Sequence, residues 1–229
     1  MEEKSNVPIT KAWDWSKNTD NYWRIPCIES AFLAERWNAE DFNSLLDLGC
    51  GLGRHTVYMG KHGFKVTAFD LSDAAVESTR NWADKENLTI EAYKGNMLSL
   101  PFQDNSFDSI IAYNVIYHTD TIGFKTILNE IQRVLRPNGE MFLTLISKST
   151  WSFVHSDKAK MLDENTLLRN ENETGEDIPH FYVDINDIKT LFTNFKFVRP
   201  PVEEHDYDMK DTNKYSAHWK LIVKKRYKL

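Results

Sequence analysis

Three glycines at alternate positions, Gly49, Gly51 and Gly53, follow the apolar run Leu45-Leu46-Asp47-Leu48 and precede an amphipathic segment that closes at Gly63. The pattern predicts a strand, a tight loop and a helix. Glycines accept positive φ and let a ligand touch bare backbone. A helix start aims unpaired N–H groups at whatever lies in front of it. A second apolar run, Lys65-Val66-Thr67-Ala68-Phe69, ends on Asp70. An acid about twenty positions beyond such a loop, at a strand tip, is placed to accept both hydroxyls of a ribose. Together these features predict a nucleoside-containing cofactor.

The dinucleotide fingerprint G-x-G-x-x-G needs a third glycine for close helix packing, and at that position this chain has Arg54. Asp47, two residues before the first glycine, would repel a pyrophosphate and suit a cationic amino group. S-adenosylmethionine has a ribose, an ammonium group and a sulfonium, and no phosphate. The electrostatics favour it over NAD.

The stretch Asp47-Leu-Gly-Cys-Gly-Leu-Gly53 resembles the first motif of class I S-adenosylmethionine-dependent methyltransferases. Asp70-Leu71-Ser72 resembles the second. Gly95-Asn96-Met97, Leu100-Pro101-Phe102 and Ser106-Phe107-Asp108 resemble the adenine-side motif and the approach to strand four. Glu130 to Gly139 resembles the helix-turn into strand five. The resemblance is dense over residues 40–150 and is nearest to the small-molecule, type 11-like subgroup. It implies a Rossmann-like seven-stranded sheet, mostly parallel with an antiparallel last strand, and helices on both faces.

With that cofactor, Gly49, Gly51 and Gly53 would offer backbone to the methionine moiety and Asp47 would face its amino group. Asp70 would take the ribose, Leu71 would pack on the adenine, and Asn96 and Met97 would hold its edge. Asn114 and Val115, after strand four, would border the methionine portion. Cys50, His55 and Ser72 complete the expected cofactor set. Arg54 either contacts the cofactor carboxylate or is a solvated helix-start arginine.

The scaffold that must hold these residues is also legible. The 229 residues suffice for one α/β domain with a full core. A net charge of −6 speaks against a general nucleic-acid binder, which needs a basic footprint. The two cysteines, Cys27 and Cys50, form no C-x-x-C pair, so neither a disulfide framework nor a bound metal is expected. There is no apolar signal core or membrane-length apolar run, so a cytoplasmic protein with no membrane partner is expected, as monomer or homodimer.

Residues 45–147 alternate strand and helix patterns, which predicts a parallel sheet covered on both faces. Before them, residues 1–44 are rich in aromatics and read as a helical cap segment. Its helix, Ile28 to Trp37, is expected to bury Ile28, Ala31 and Phe32, with Glu35's stem beside them. Trp15, Tyr22 and Trp23 either pack the cap down or lid the cofactor and line the substrate pocket. The helix after Ser72 is expected to bury Ala75, Val76, Thr79, Trp82 and Ala83. Residues 148–183 break the pattern with an acidic middle (Glu171, Glu173 and Glu176 among it) and aromatic ends. They read as a substrate-covering insertion within the 45–229 domain, with Trp151, His180 and Tyr182 as substrate contacts. Tyr215 to Val223 alternates as a half-exposed strand, followed by a basic edge, Lys224, Lys225, Arg226 and Lys228.

Methyl transfer needs alignment more than acid–base chemistry. His118, which leaves strand four beside Tyr117, has the pKa range of a general base; the alternative is packing near the cofactor. The segment Asn114-Val115-Ile116-Tyr117 lacks the N/D-P-P-Y/F of enzymes that methylate amide or exocyclic nitrogens. No Pro-Cys nucleophile follows the core strands. A small-molecule acceptor, methylated on O, N or S, is the class that remains. Competing readings are a non-catalytic S-adenosylmethionine-binding sensor or partner subunit, a protein or RNA methyltransferase, and an NAD-dependent enzyme.

Overall fold

The computed structural model describes residues 8, 10, 13, 15, 20–157, 160–170 and 177–226. Five parallel strands form its centre: β1 (Ser44–Leu48), β2 (Lys65–Asp70), β3 (Glu91–Lys94), β4 (Phe107–Ala112) and β5 (Leu135–Ser147). The antiparallel β10 (Tyr215–Lys225) pairs with β5 and then with β8 (Phe195–Phe197), giving the order β3-β2-β1-β4-β5-β10-β8. Three strands extend this seven-stranded path. A hairpin of β6 (Thr166–Asn170) and β7 (Asp177–Val183) docks on the end of β5, and β9 (Val202–Tyr207) pairs with the first half of β10.

Alternate residues of each central strand feed two separate cores, which is why these strands read as continuous apolar runs. Leu46 and Leu48, Ile110, Leu143 and Leu221 point to the face covered by α4 (Thr121–Val134) and α6 (Ile185–Leu191). Leu45, Ile111, Phe142 and Ile222 point to the face covered by α1 (Glu29–Ala39) and α2 (Arg54–Lys61). A third helix, α3 (Asp73–Lys85), packs on α2 and β2. Ser72 caps it by accepting from the Ala75 N–H, as Asp120 caps α4 by accepting from Gly123. Trp82 is the member of its expected stripe that stays half-buried, with the Arg24 guanidinium over its ring.

Polar clasps set the register. The Asp108 carboxylate accepts from the Asn43 and Ser44 N–H groups and from Arg136, tying the starts of β1, β4 and β5. Glu130 accepts from Leu100 N, while Arg133 donates to the carbonyls of Leu100 and Phe102. The family-like residues of α4 thus hold the Leu100-Pro101-Phe102 loop in place.

Three expectations are corrected. On α1 the buried residues are Ser30, Leu33, Ala34 and Trp37, whereas Ile28 (86% exposed), Ala31, Phe32 and Glu35 face outward. The helix is rotated because Glu140, fully buried within β5, accepts from both Arg36 (2.7 and 2.8 Å) and the Trp37 indole N–H (3.1 Å). Apolar spacing alone could not show that partner. Strand β10 is not half-exposed: β5 flanks one side, β8 and β9 the other, and both faces are covered from Lys220 to Val223. The basic end is used as ties, with Lys225 donating to Leu135 O and Asn105, and Arg226 to Phe195 O; Lys228 lies outside the described residues. The acids Glu171, Glu173 and Glu176 lie outside them too, and the rest of residues 148–183 adds paired strands to the sheet. Of the described residues, no helix is long and apolar enough to cross a membrane.

Replacing Glu140 by Ala strands Arg36 and the Trp37 indole. Removing one partner of a buried pair costs about 3–5 kcal/mol. The melting temperature measured by calorimetry should fall by roughly 10 °C. An unchanged value would mean that the clasp adds nothing net.

Candidate functional site

The strand order reverses between β1 and β4, so the loops leaving their carboxyl ends diverge and open a crevice there. A cavity of about 280 Å³ fills it. One wall is the β1–α2 loop. Its first two N–H groups, Gly49 and Cys50, both donate to Phe69 O at 2.7 and 3.1 Å. The next, Gly51, donates to Asp70 Oδ2 at 2.9 Å, and Ser72 N donates to Asp70 Oδ1 at 2.9 Å. The Asp70 carboxylate is thereby aimed along the cavity wall, with lone pairs left beyond those two bonds. Burial pushes its pKa up, against the pull of the Ser72, Gly51 and Leu71 N–H groups.

The loop holds φ of +74°, +53° and +95° at Gly49, Gly51 and Gly53. At Gly49 a side chain is excluded twice, because a Cβ would also stand 2.2 Å from a Val115 methyl. Here the loops of β1 and β4 touch. Asn114, also left-handed at φ +55°, is locked by Thr144, whose hydroxyl accepts its N–H and donates to its side-chain oxygen, both at 2.7 Å.

Several expected cofactor residues sit elsewhere. Gly53 does not reach the cavity; its Cα abuts α3, where a Cβ would stand 2.9 Å from Thr79 Oγ1, so it serves the helix packing assigned to a third glycine. Ser72 is a helix cap behind Asp70. Asp47 is buried beneath the loop, accepts from the Thr56 hydroxyl at 2.6 Å and does not line the cavity. Burial pushes its pKa up to about 6.

Leu71, Asn96 and Met97 do line the cavity, with Phe69 and Gly95 beside them. The Asn96 amide donates to Thr10 at 2.9 Å and accepts from Leu98 N at 3.0 Å. Cys50, Gly51, Arg54, His55, Asn114 and Val115 line it as well. The Arg54 guanidinium lies over the rings of Trp23 and Tyr113, at 5.4 and 5.0 Å. The His55 Nε2 accepts from Cys27 N at 3.3 Å. Burial and the Arg54 charge lower its pKa to about 3, so it is neutral at pH 7 and ties the cap segment to the loop.

Trp15 and Trp23 form the roof, edge to face at 5.4 Å, with the Trp15 ring over Gly51. Tyr22 does not line the cavity; it leans on Trp23 from outside and is 59% exposed. The far wall is Tyr117, His118 and His180, whose rings approach at 4.6 Å (Tyr117–His118) and 4.8 Å (His118–His180). Trp151 and Tyr182 are absent from the lining. Trp151 stacks on His155, and Tyr182 is a core residue against Phe153.

Among the lining residues that escaped the sequence reading as site residues are Trp13, Tyr113, Arg169 and His218. Tyr113 directly follows β4, a position that could have flagged it. Arg169 lies on the added strand β6 and His218 on β10, both far along the chain, and neither carried a local signal. Among the described residues no cluster of three or more His, Cys, Asp or Glu could hold a metal.

Residues 46–143 match the family model described as a methyltransferase domain. The chain is 34% identical over 111 residues to a sterol 24-C-methyltransferase of Gibberella zeae, which covers 47% of this chain and 29% of that protein. An uncharacterized methyltransferase of Bacillus subtilis is 30% identical over 56% of this chain and 54% of its own length. The chain covers less than two thirds of both relatives. Among solved structures, an S-adenosylmethionine-dependent methyltransferase from Methanosarcina mazei superposes with TM-score 0.69 at 22% identity, over 81% of this chain and 93% of that one. A Burkholderia thailandensis 1,6-didemethyltoxoflavin-N1-methyltransferase, solved with its substrate and S-adenosylhomocysteine, gives TM-score 0.62 at 20% identity, over 91% and 80%. Residues 46–143 thus match a methyltransferase domain, and the chain shares the fold of these solved structures.

The position of Asp47 makes a stability prediction. A carboxyl with a folded pKa near 6 and an ordinary unfolded value near 3.8 holds its proton more tightly when folded. Its contribution is therefore full below about pH 4 and is lost as pH rises to 6. Asp47→Asn removes that loss, on the order of 2–3 kcal/mol. The unliganded variant should melt several degrees above wild type at pH 7, and the difference should vanish near pH 4. A pH-independent difference would refute the buried charge as its cause.

Proposed function

We propose that the chain transfers a methyl group from S-adenosylmethionine to an oxygen, nitrogen or sulfur atom of a small molecule. The observation that carries this reading is the pairing of Asp70 with the glycine loop on one wall of a roofed cavity at the sheet's switch point. The residues suit the cofactor's parts. Asp70 would accept the ribose hydroxyls through its remaining lone pairs. Leu71, Asn96 and Met97 flank the space an adenine would take, and Asn96 can still accept from its amino group. The bare backbone at Gly49 and Gly51, with Asn114 and Val115 opposite, leaves room for the methionine portion, and Arg54 is near enough to meet a carboxylate. Bound there, S-adenosylmethionine supplies a methyl carbon activated by positive sulfur.

The chain's own contribution is alignment and dryness. Nucleophile, methyl carbon and sulfur must be collinear, with the attacking atom about 3–3.5 Å away. Charge is quenched as the carbon–sulfur bond breaks, so excluding water favours the step. In this reading Trp15 and Trp23 close the roof, Tyr117 and His180 border the acceptor, and His118 takes its proton. A cavity of about 280 Å³ suits a small acceptor. The relatives named above for sterol and toxoflavin-type substrates carry methyltransferase chemistry on small molecules, as their names state.

The test follows label from methyl-labelled S-adenosylmethionine into the small-molecule, protein and nucleic-acid fractions of a source-cell extract. Label is expected in the small-molecule fraction, and label in protein or RNA instead overturns the proposed acceptor class. Asp70→Ala should lower S-adenosylhomocysteine affinity at least 100-fold by calorimetry. His118→Gln should lower turnover at least tenfold while leaving that affinity within threefold; equal turnover across pH would remove His118 as the base.

A further inference from the structure

Thr144 is a polar residue in an apolar stretch of β5. Phe142, Leu143 and Leu145 around it are fully buried, and Thr144 itself is 1% exposed. A hydroxyl in such a place costs stability unless it is hydrogen-bonded. Its partner is Asn114, the second residue after β4. The hydroxyl accepts the Asn114 N–H and donates to Asn114 Oδ1, each at 2.7 Å. Both bonds go to one residue, so Thr144 holds the left-handed backbone of Asn114 and the direction of its side chain together.

The two bonds also decide which end of the carboxamide is taken. A hydroxyl has one proton to give, and here it goes to the amide oxygen. The Nδ2 group is what remains, and among the described residues it donates to no acceptor. Asn114 lines the cavity. Toward a ligand it is a hydrogen-bond donor.

The neighbours of Asn114 say what the donor would meet. Val115 packs against Gly49, so Asn114 stands where the loops of β1 and β4 touch. Tyr113, on its other side, lies under the Arg54 guanidinium at 5.0 Å. Asp47, whose charge reaches Arg54, is buried beneath the loop and outside the lining. A donor edge near a guanidinium repels an ammonium or a sulfonium and suits a carboxylate.

Resting on the methyltransferase reading, we propose that Thr144 is a positioning residue for the cofactor: by holding the Asn114 oxygen it turns Nδ2 toward the carboxylate of the methionine portion, on the side of Arg54. Thr144 touches no ligand itself and acts through Asn114.

The test titrates the full chain by calorimetry with S-adenosylhomocysteine and with methylthioadenosine, which keeps the nucleoside and sulfur and lacks the amino-acid part. Thr144→Val keeps the shape and removes the hydroxyl. It should weaken S-adenosylhomocysteine roughly tenfold or more and barely move methylthioadenosine, and Thr144→Ser should restore most of the loss. Asn114→Asp puts an oxygen where the donor was and should weaken S-adenosylhomocysteine by a similar factor. Tighter binding by Asn114→Asp would place the ammonium there and overturn the proposal. So would unchanged S-adenosylhomocysteine affinity in Thr144→Val, or an equal loss for both ligands, which a merely loosened loop would give. Melting scans show which variants fold; if Thr144→Val does not, the sign of the Asn114→Asp effect decides. Failure of the wild type to bind S-adenosylhomocysteine would sink the underlying methyltransferase reading, whereas wild-type binding that neither variant alters would sink the role of Thr144 alone.

Discussion

The Asp70 carboxylate and the carbonyl of Phe69 before it hold the site together. Between them they take the N–H groups of Gly49, Cys50, Gly51 and Ser72. The tip of β2 thus dictates the path of the loop leaving β1, and that path decides where α2 begins. The loop can follow it because three glycines take positive φ and because nothing larger than a hydrogen fits between Gly49 and Val115. The same carboxylate that shapes the loop then faces the cavity. One side chain therefore both shapes the loop and lines the cavity.

Around this clasp the sheet works as a rigid platform. Its strands β1, β2 and β4 are buried on both faces, and its loops are pinned by charged groups away from the cavity. Asp108 gathers three strand starts, Glu130 and Arg133 hold the loop before β4, and Glu140 fixes the rotation of α1. These clasps involve residues that a motif reading would associate with the family without assigning them a task. Their task is to keep the carboxyl ends of β1, β2 and β4 in fixed relation. A displacement reaction gains its rate mainly from such alignment.

The variable parts of the chain supply the rest of the cavity. The cap reaches it through Trp13, Trp15 and Trp23, and neutral His55 anchors the cap's stem at Cys27. From the other end of the chain, the β6–β7 hairpin brings Arg169 and His180, and β10 brings His218. The wall of the glycine loop comes from the alternating core, while the far wall joins Tyr117 and His118 of the loop after β4 to side chains from the later strands.

The sequence by itself determined the alternating α/β core, the glycine loop and the acid at the tip of β2, because each is written in local spacing and residue chemistry. It also located the cavity-lining loops after β1, β2, β3 and β4. It could not show that Gly53 packs on Thr79 or that Asp47 turns under the loop to Thr56, since both depend on a neighbouring helix's position. Nor could it orient α1, whose rotation answers to Glu140 a hundred residues on. Tyr22, Trp151 and Tyr182 had the right residue type and the wrong placement. Arg169 and His218 had the reverse: nothing in their local sequence marks them, and only strand pairing across the finished sheet brings them to the cavity. Local pattern encodes what a segment does with its own backbone, whereas long-range pairing decides which side chains meet.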